Sequence, residues 1–94
     1  MKKVIAVKSL DNFKVWVRFN DGVEGVADFS DLAGQGVFTL WNEYSNFEKV
    51  RAGSSGELVW SEHVDVCPDM TYMRVTGLTP EQMFPALKRA AAYA

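Results

Sequence analysis

Residues 13–29, FKVWVRFNDGVEGVADF, decide the fold. Phe13, Val15, Val17 and Phe19 alternate with Lys14, Trp16 and Arg18, the period-two pattern of a strand with one apolar face. Asn20-Asp21-Gly22 follows. Asp-Gly between two strand-like runs predicts a tight hairpin tip, because glycine accepts the positive φ such turns demand. Val23–Phe29 is the return strand, with Gly25 expected to mark a weak point or a bulge. Upstream, Val4–Leu10 is a β-branched run that reads as another strand. Residues 4–29 are therefore predicted to form a three-stranded antiparallel meander.

Downstream the period changes. Ser30-Asp31-Leu32-Ala33-Gly34 reads as one capped helical turn ending at glycine. Val37, Leu40, Trp41, Tyr44 and Phe47 then fall on one stripe of an amphipathic helix, whose aromatic face suits packing on the sheet. Asn42 and Ser45-Asn46 are poor helix formers and can break it into two short pieces. Val50–Ala52 and Glu57–Trp60 flank Gly53-Ser54-Ser55-Gly56 as a second hairpin. Val64–Val66 is a short extended piece. Pro68 suits the start of a turn or helical turn, and Tyr72–Val75 reads as a last short strand. Thr79 and Gln82 make a capping box with Pro80 at the first helical position and Leu78 placed to staple to Met83. Pro85 then either kinks that helix or starts another. The expectation is an α+β fold: a single domain over 1–78 and a C-terminal helical tail over 79–94 docked outside it.

Composition supports a folded domain. Ninety-four residues with 48% hydrophobic side chains can bury roughly two-thirds of the unfolded surface. No apolar run approaches the length of a membrane span, and the four apolar residues after Lys2-Lys3 are too few for a secretory leader. With a single cysteine, Cys67, no intramolecular disulfide can form, and the expected address is the cytoplasm. The net charge of −2 gives no general attraction to nucleic acid. Its distribution is uneven. Residues 1–20 set Lys2, Lys3, Lys8, Lys14 and Arg18 against Asp11, whereas residues 21–73 hold ten acids against Lys49 and Arg51.

No constellation in the sequence carries recognisable chemistry. His63 and Cys67 lie four apart with Asp65 and Asp69 near, but structural zinc wants four ligands, usually in close pairs of Cys or His. The chain has one His and one Cys. No serine or cysteine sits in a nucleophile context with a base and an orienting group. No cofactor is therefore expected. Lys14, Trp16 and Arg18 on one strand face, with Lys8 near, make a basic face with an aromatic for stacking, which the acidic total opposes.

One resemblance covers residues 4–72. The run Phe13–Phe19, Asp21-Gly22, Val26, Asp28-Phe29-Ser30-Asp31-Leu32, Gly36-Val37-Phe38, Phe47, Val59-Trp60 and Asp65 resembles the bacterial domain-of-unknown-function family 2442. Two features depart from it: Ser61-Glu62-His63 after Trp60, where the family often shows Pro-Asn-Gly, and the tail over 79–94. The resemblance implies a small α+β fold and, through the family's fusions to helix-turn-helix domains and its neighbours suspected as toxin–antitoxin partners, an adaptor. The tail is too short for a helix-turn-helix.

These readings converge on a non-enzymatic protein-interaction module. Its partner is expected to be a basic protein docking near Glu57, Glu62, Asp65 and Asp69, and nucleic acid is not expected as a direct ligand. A regulatory subunit of a toxin–antitoxin or transcription-related complex is the alternative, with a cryptic enzyme third. Self-association is expected through Met83, Phe84 and Leu87.

Overall fold

The hairpin tip turns where its residues require. In the computed structural model, which describes residues 2–83, Gly22 has φ +89°, and its N–H donates to the Phe19 carbonyl at 3.0 Å. The Asp21 carboxylate accepts the Val23 N–H at 3.0 Å. Asn20, Asp21 and Gly22 thus form a three-residue loop with glycine in its left-handed position. The loop joins β2 (Lys14–Phe19) to β3 (Glu24–Asp28), and β1 (Val4–Ser9) pairs antiparallel on the other side of β2. The meander matches the sequence expectation. The bulge does not fall at Gly25: β2 and β3 pair without a shift, and the irregularity lies in β1 between Val4 and Ala6.

A 3₁₀ helix (Gly36–Asn42) and α1 (Tyr44–Phe47) replace the continuous helix over 37–47. The break falls at Asn42-Glu43, where Glu43 is extended. Trp41 and Phe47 of the predicted stripe are fully buried, whereas Val37 is 56% exposed because a 3₁₀ helix advances side chains by a different angle. Residues 30–34 form successive turns rather than a helix.

The second hairpin gains a strand. β4 (Arg51–Ala52), β5 (Leu58–Ser61) and β6 (Val64–Val66) form a separate three-stranded antiparallel sheet. The Val4 N–H donates to the Gly56 carbonyl at 2.9 Å, tying β1 to the β4–β5 turn. Val15, Val17, Phe19 and Ala27 from the first sheet and Leu58, Trp60, Val64 and Val66 from the second are all buried in one core with Phe29, Trp41 and Phe47. Trp41 lies at its centre, 5.0 Å from Phe47 and 4.8 Å from Trp60 between ring centroids.

The expected strand over 72–75 is instead part of α2 (Pro68–Thr76). The end signals outweigh the β-branched and aromatic content. Cys67 is the N-cap, its Sγ accepting the Met70 N–H at 3.4 Å, Pro68 opens the first turn, and Gly77 closes the last with a left-handed φ. Tyr72 and Val75, three apart, face the first sheet. Tyr72 meets Phe19 edge-on at 4.8 Å, and Val75 lies where a Cβ on Gly25 would come within 2.8 Å of its Cγ1. Gly25 is a close-approach glycine, not a weak point. The capping box is present: Thr79 N–H donates to Gln82 Oε1 at 2.8 Å and Gln82 N–H to Thr79 Oγ1 at 3.2 Å, opening α3 (Pro80–Met83). Pro85, and the Phe84 and Leu87 of the expected contact, lie outside the described residues.

Candidate interaction surfaces

The four acids singled out in the sequence do not share one role. Glu57 Oε1 accepts the Ser55 N–H at 3.1 Å and so stabilises the β4–β5 turn. Asp69 occupies the first turn of α2, where a negative charge complements the helix dipole. Glu62 stands at the β5–β6 turn with His63 Nε2 3.8 Å from its carboxylate, both side chains nearly bare. Asp65 is exposed on the outer face of the second sheet, opposite Val59, which in turn faces Arg51. A cation therefore shares the row with the acid. His63 and Cys67 are both exposed. No group of three or more His, Cys, Asp or Glu positioned for a metal occurs among the described residues, and no helix among them is long and apolar enough to cross a membrane.

The first sheet has a more ordered outer face. Because Val15, Val17 and Phe19 point inward, Lys14, Trp16 and Arg18 point out, and the register sets each beside one β3 residue: Lys14 by Asp28, Trp16 by Val26, Arg18 by Glu24. On β1, Lys8 lies beside Trp16 and Ala6 beside Arg18. The extra residue at the bulge, Ile5, is 59% exposed, and Val26 is 45% exposed. A bulge sets two successive side chains on one face, which places Ile5 with Ala6. The result is a central apolar pair, Trp16 and Val26, between two charged rows, with Ile5 at one corner beyond the Ala6–Arg18 row.

On β2 and β3 the charges of those rows are matched. Arg18 Nε donates to Glu24 Oε2 at 2.8 Å, and its guanidinium lies 5.7 Å from the Trp16 ring centroid. The Ser30 N–H holds the Asp28 carboxyl below its usual range, with Lys14 adding to the effect. The sequence showed the cations on β2. It did not show their β3 partners, which require the register. Counting Asn20-Asp21-Gly22 as a three-residue loop would have supplied it.

Two further clusters anchor α2. Arg74 grips Asp31 with both terminal nitrogens, at 2.7 and 3.0 Å, donates to the Asp28 carbonyl at 2.8 Å and lies over Phe29. The bond to Arg74 holds the Asp31 carboxyl low and raises the guanidinium. At the other end, Tyr72 Oη and Lys2 Nζ both donate to Asp21 Oδ2 at 2.9 Å. Both clusters join elements of the fold. Comparison with protein-family models, curated proteins and solved structures returned no match.

Proposed function

We propose that this chain is a protein-interaction module, acting by binding rather than by turnover, and that it docks its partner on the outer face of the first sheet. The observation that carries the reading is the half-buried Trp16 beside the exposed Val26, with the exposed Ile5 on the same sheet and charged residues in the flanking rows. Aromatic anchors surrounded by polar groups dominate binding energy at protein interfaces. The family resemblance over residues 4–72, with its implied adaptor role, supports the same class, and a cytoplasmic address belongs to the proposal.

Glu62, Asp65 and Asp69 remain a second candidate surface, suited to steering a basic protein. One experiment weighs the two. A photo-crosslinking amino acid replaces Val26 in one protein and Glu62 in another, each expressed in growing cells. Protein adducts should form from position 26 and disappear when Trp16→Ala is added. Adducts from position 62 alone would transfer the docking site to the acidic surface, and none from either would overturn the reading. Binding to duplex DNA that persists at physiological salt would support the regulatory alternative instead.

A further inference from the structure

The outer face of the first sheet carries its own complement. β2 presents Lys14, Trp16 and Arg18 in a line, and β3 presents Asp28, Val26 and Glu24 in the same register. Each row of one strand is the opposite of the matching row on the other: cation by anion, aromatic by aliphatic, cation by anion. From this ladder we infer that the occupant of the face is a second copy of the same chain, stacked sheet on sheet about a two-fold axis. The inference rests on the docking reading above and names its partner.

The charges choose the direction of that axis. A two-fold running parallel to the strands, between β2 and β3, lays β2 of one copy over β3 of the other. Lys14 then faces the second copy's Asp28, Trp16 its Val26 and Arg18 its Glu24, and symmetry repeats all three contacts. A two-fold running across the strands sets Lys14 against the second copy's Arg18 and Asp28 against its Glu24, both repulsive. Two sheets packed face to face lie about 10 Å apart with strands turned about 30°. The central Trp16–Val26 rows stay in contact through that rotation. Ile5 and Lys8 on β1 then border the second copy's β3 edge.

The same charges argue against nucleic acid on this face. Arg18 is bonded to Glu24 and Lys14 sits beside Asp28, so the two strands together are neutral. A phosphate backbone rewards unmatched cations, and Lys8 is the one cation of the three strands' outer rows with no acid in its row, whereas a neutral, alternating pair of strands rewards its own image. The size of the face sets the strength. Three strands about 4.8 Å apart and rows spanning about 17 Å give far less than the roughly 800 Å² per partner of a standard interface. The dimer is accordingly a weak, concentration-dependent one.

Sedimentation equilibrium from micromolar to millimolar protein reads this directly. Wild type should move reversibly from monomer towards dimer mass, and Val26→Asp should abolish the shift while leaving the thermal midpoint close to wild type. Arg18→Glu and Glu24→Lys each place like charges across the axis and should each lose self-association severalfold. A mixture of those two variants restores both ion pairs in a mixed dimer and should recover it. That recovery separates a charge-matched two-fold from general loss of solubility or folding. A monomer at every concentration would overturn the inference, as would a dimer indifferent to Val26→Asp or a mixture that fails to recover. Continued crosslinking from position 26 to a different protein would then leave the docking reading standing.

Discussion

In the first sheet, β2 and β3 pair over five consecutive rows, whereas in the second β4 has two residues and β6 three. Long strands give the first sheet two usable faces, an inner one that fills the core and an outer one with three complete charged and apolar rows. The short strands of the second sheet are supported by single bonds from side chains: Glu57 to the Ser55 N–H, the His63 N–H to Ser61 Oγ, and Trp60 Nε1 to the Phe47 carbonyl at 2.9 Å. It leans on the core and on the Val4–Gly56 bond to the first sheet. The contrast teaches that the second sheet completes the core, while the first both fills it and carries an ordered outer surface.

The strongest way to break that picture is to remove the ring joining the sheets. Trp41→Ala should cost about 3–5 kcal/mol, as aromatic truncations in a core do, measured by urea denaturation. Trp41 Nε1 has no hydrogen-bond partner among the described residues, so Trp41→Phe should cost much less. Trp60→Phe also keeps an aromatic ring but removes the bond to the Phe47 carbonyl, which keeps the Val50 N–H at 3.3 Å, a loss of about 0.5–1.5 kcal/mol for one hydrogen bond. Equal costs for the two Phe variants would show that the second sheet does not depend on that bond. An unchanged midpoint for Trp41→Ala would separate the sheets into independent units.

The next effect tests what closes the inner face of the first sheet. Gly25→Ala drives a Cβ to 2.8 Å from Val75 Cγ1. Overpacking of this kind costs about 1–3 kcal/mol, and Val75→Ala in the same chain should relieve most of it. Additive losses would mean that α2 does not press on Gly25.

Legibility follows the same division. Residues 4–29 were readable because alternation and an Asp-Gly turn are local signals, and both survive in the structure. Val37 was misplaced because the stripe over 37–47 assumed an α period, and the 3₁₀ stretch through Trp41 changes it. For Tyr72–Val75, residue preference alone points to a strand. Pro68 and Gly77, which bracket the helix, are weaker signals when the N-cap is a cysteine, a residue outside the usual capping set. Charge alone singles out Glu57, Glu62, Asp65 and Asp69 in the sequence. Only the fold could show that Glu57 serves its own turn and that Arg51 shares a row with Asp65. The outer rows of the first sheet needed only the register.

A smaller loss should follow from Gly22→Val. With φ at +89°, a β-branched residue is strained at the tip of the β2–β3 hairpin, at a cost of about 1 kcal/mol or more. An unchanged unfolding midpoint would remove the requirement for a left-handed residue there.

The mildest effect concerns pH, and it again separates the sheets. Asp21, beside that glycine, accepts bonds from Lys2, the Val23 N–H and Tyr72. The Lys2 ammonium, the backbone N–H and the Tyr72 hydroxyl hold its carboxyl down to about 2 from 3.8. A carboxyl depressed on folding contributes stability that is complete above its unfolded value and lost as pH falls through the folded one. The window therefore runs from 3.8 down to about 2. Lys2 is raised in turn by Asp21, so its share persists through neutral pH and is lost only on the alkaline side of 10.5. Asp28 and Asp31 are also held low, but both proteins in a comparison of wild type with Asp21→Asn keep them. The difference between those two stability curves should consequently be flat at neutral pH and shrink through the acid window. The groups are solvent-exposed, so high salt should reduce the difference. Tyr72→Phe removes one of the three donors and should give an intermediate curve. Parallel curves for wild type and Asp21→Asn would show that Asp21 does not tie the hairpin tip to α2. No comparable bond from a carboxylate to a distant element holds the β4–β5 turn among the described residues, where Glu57 bonds only within its own hairpin. The matched substitution Glu57→Gln should therefore cost less stability at neutral pH than Asp21→Asn.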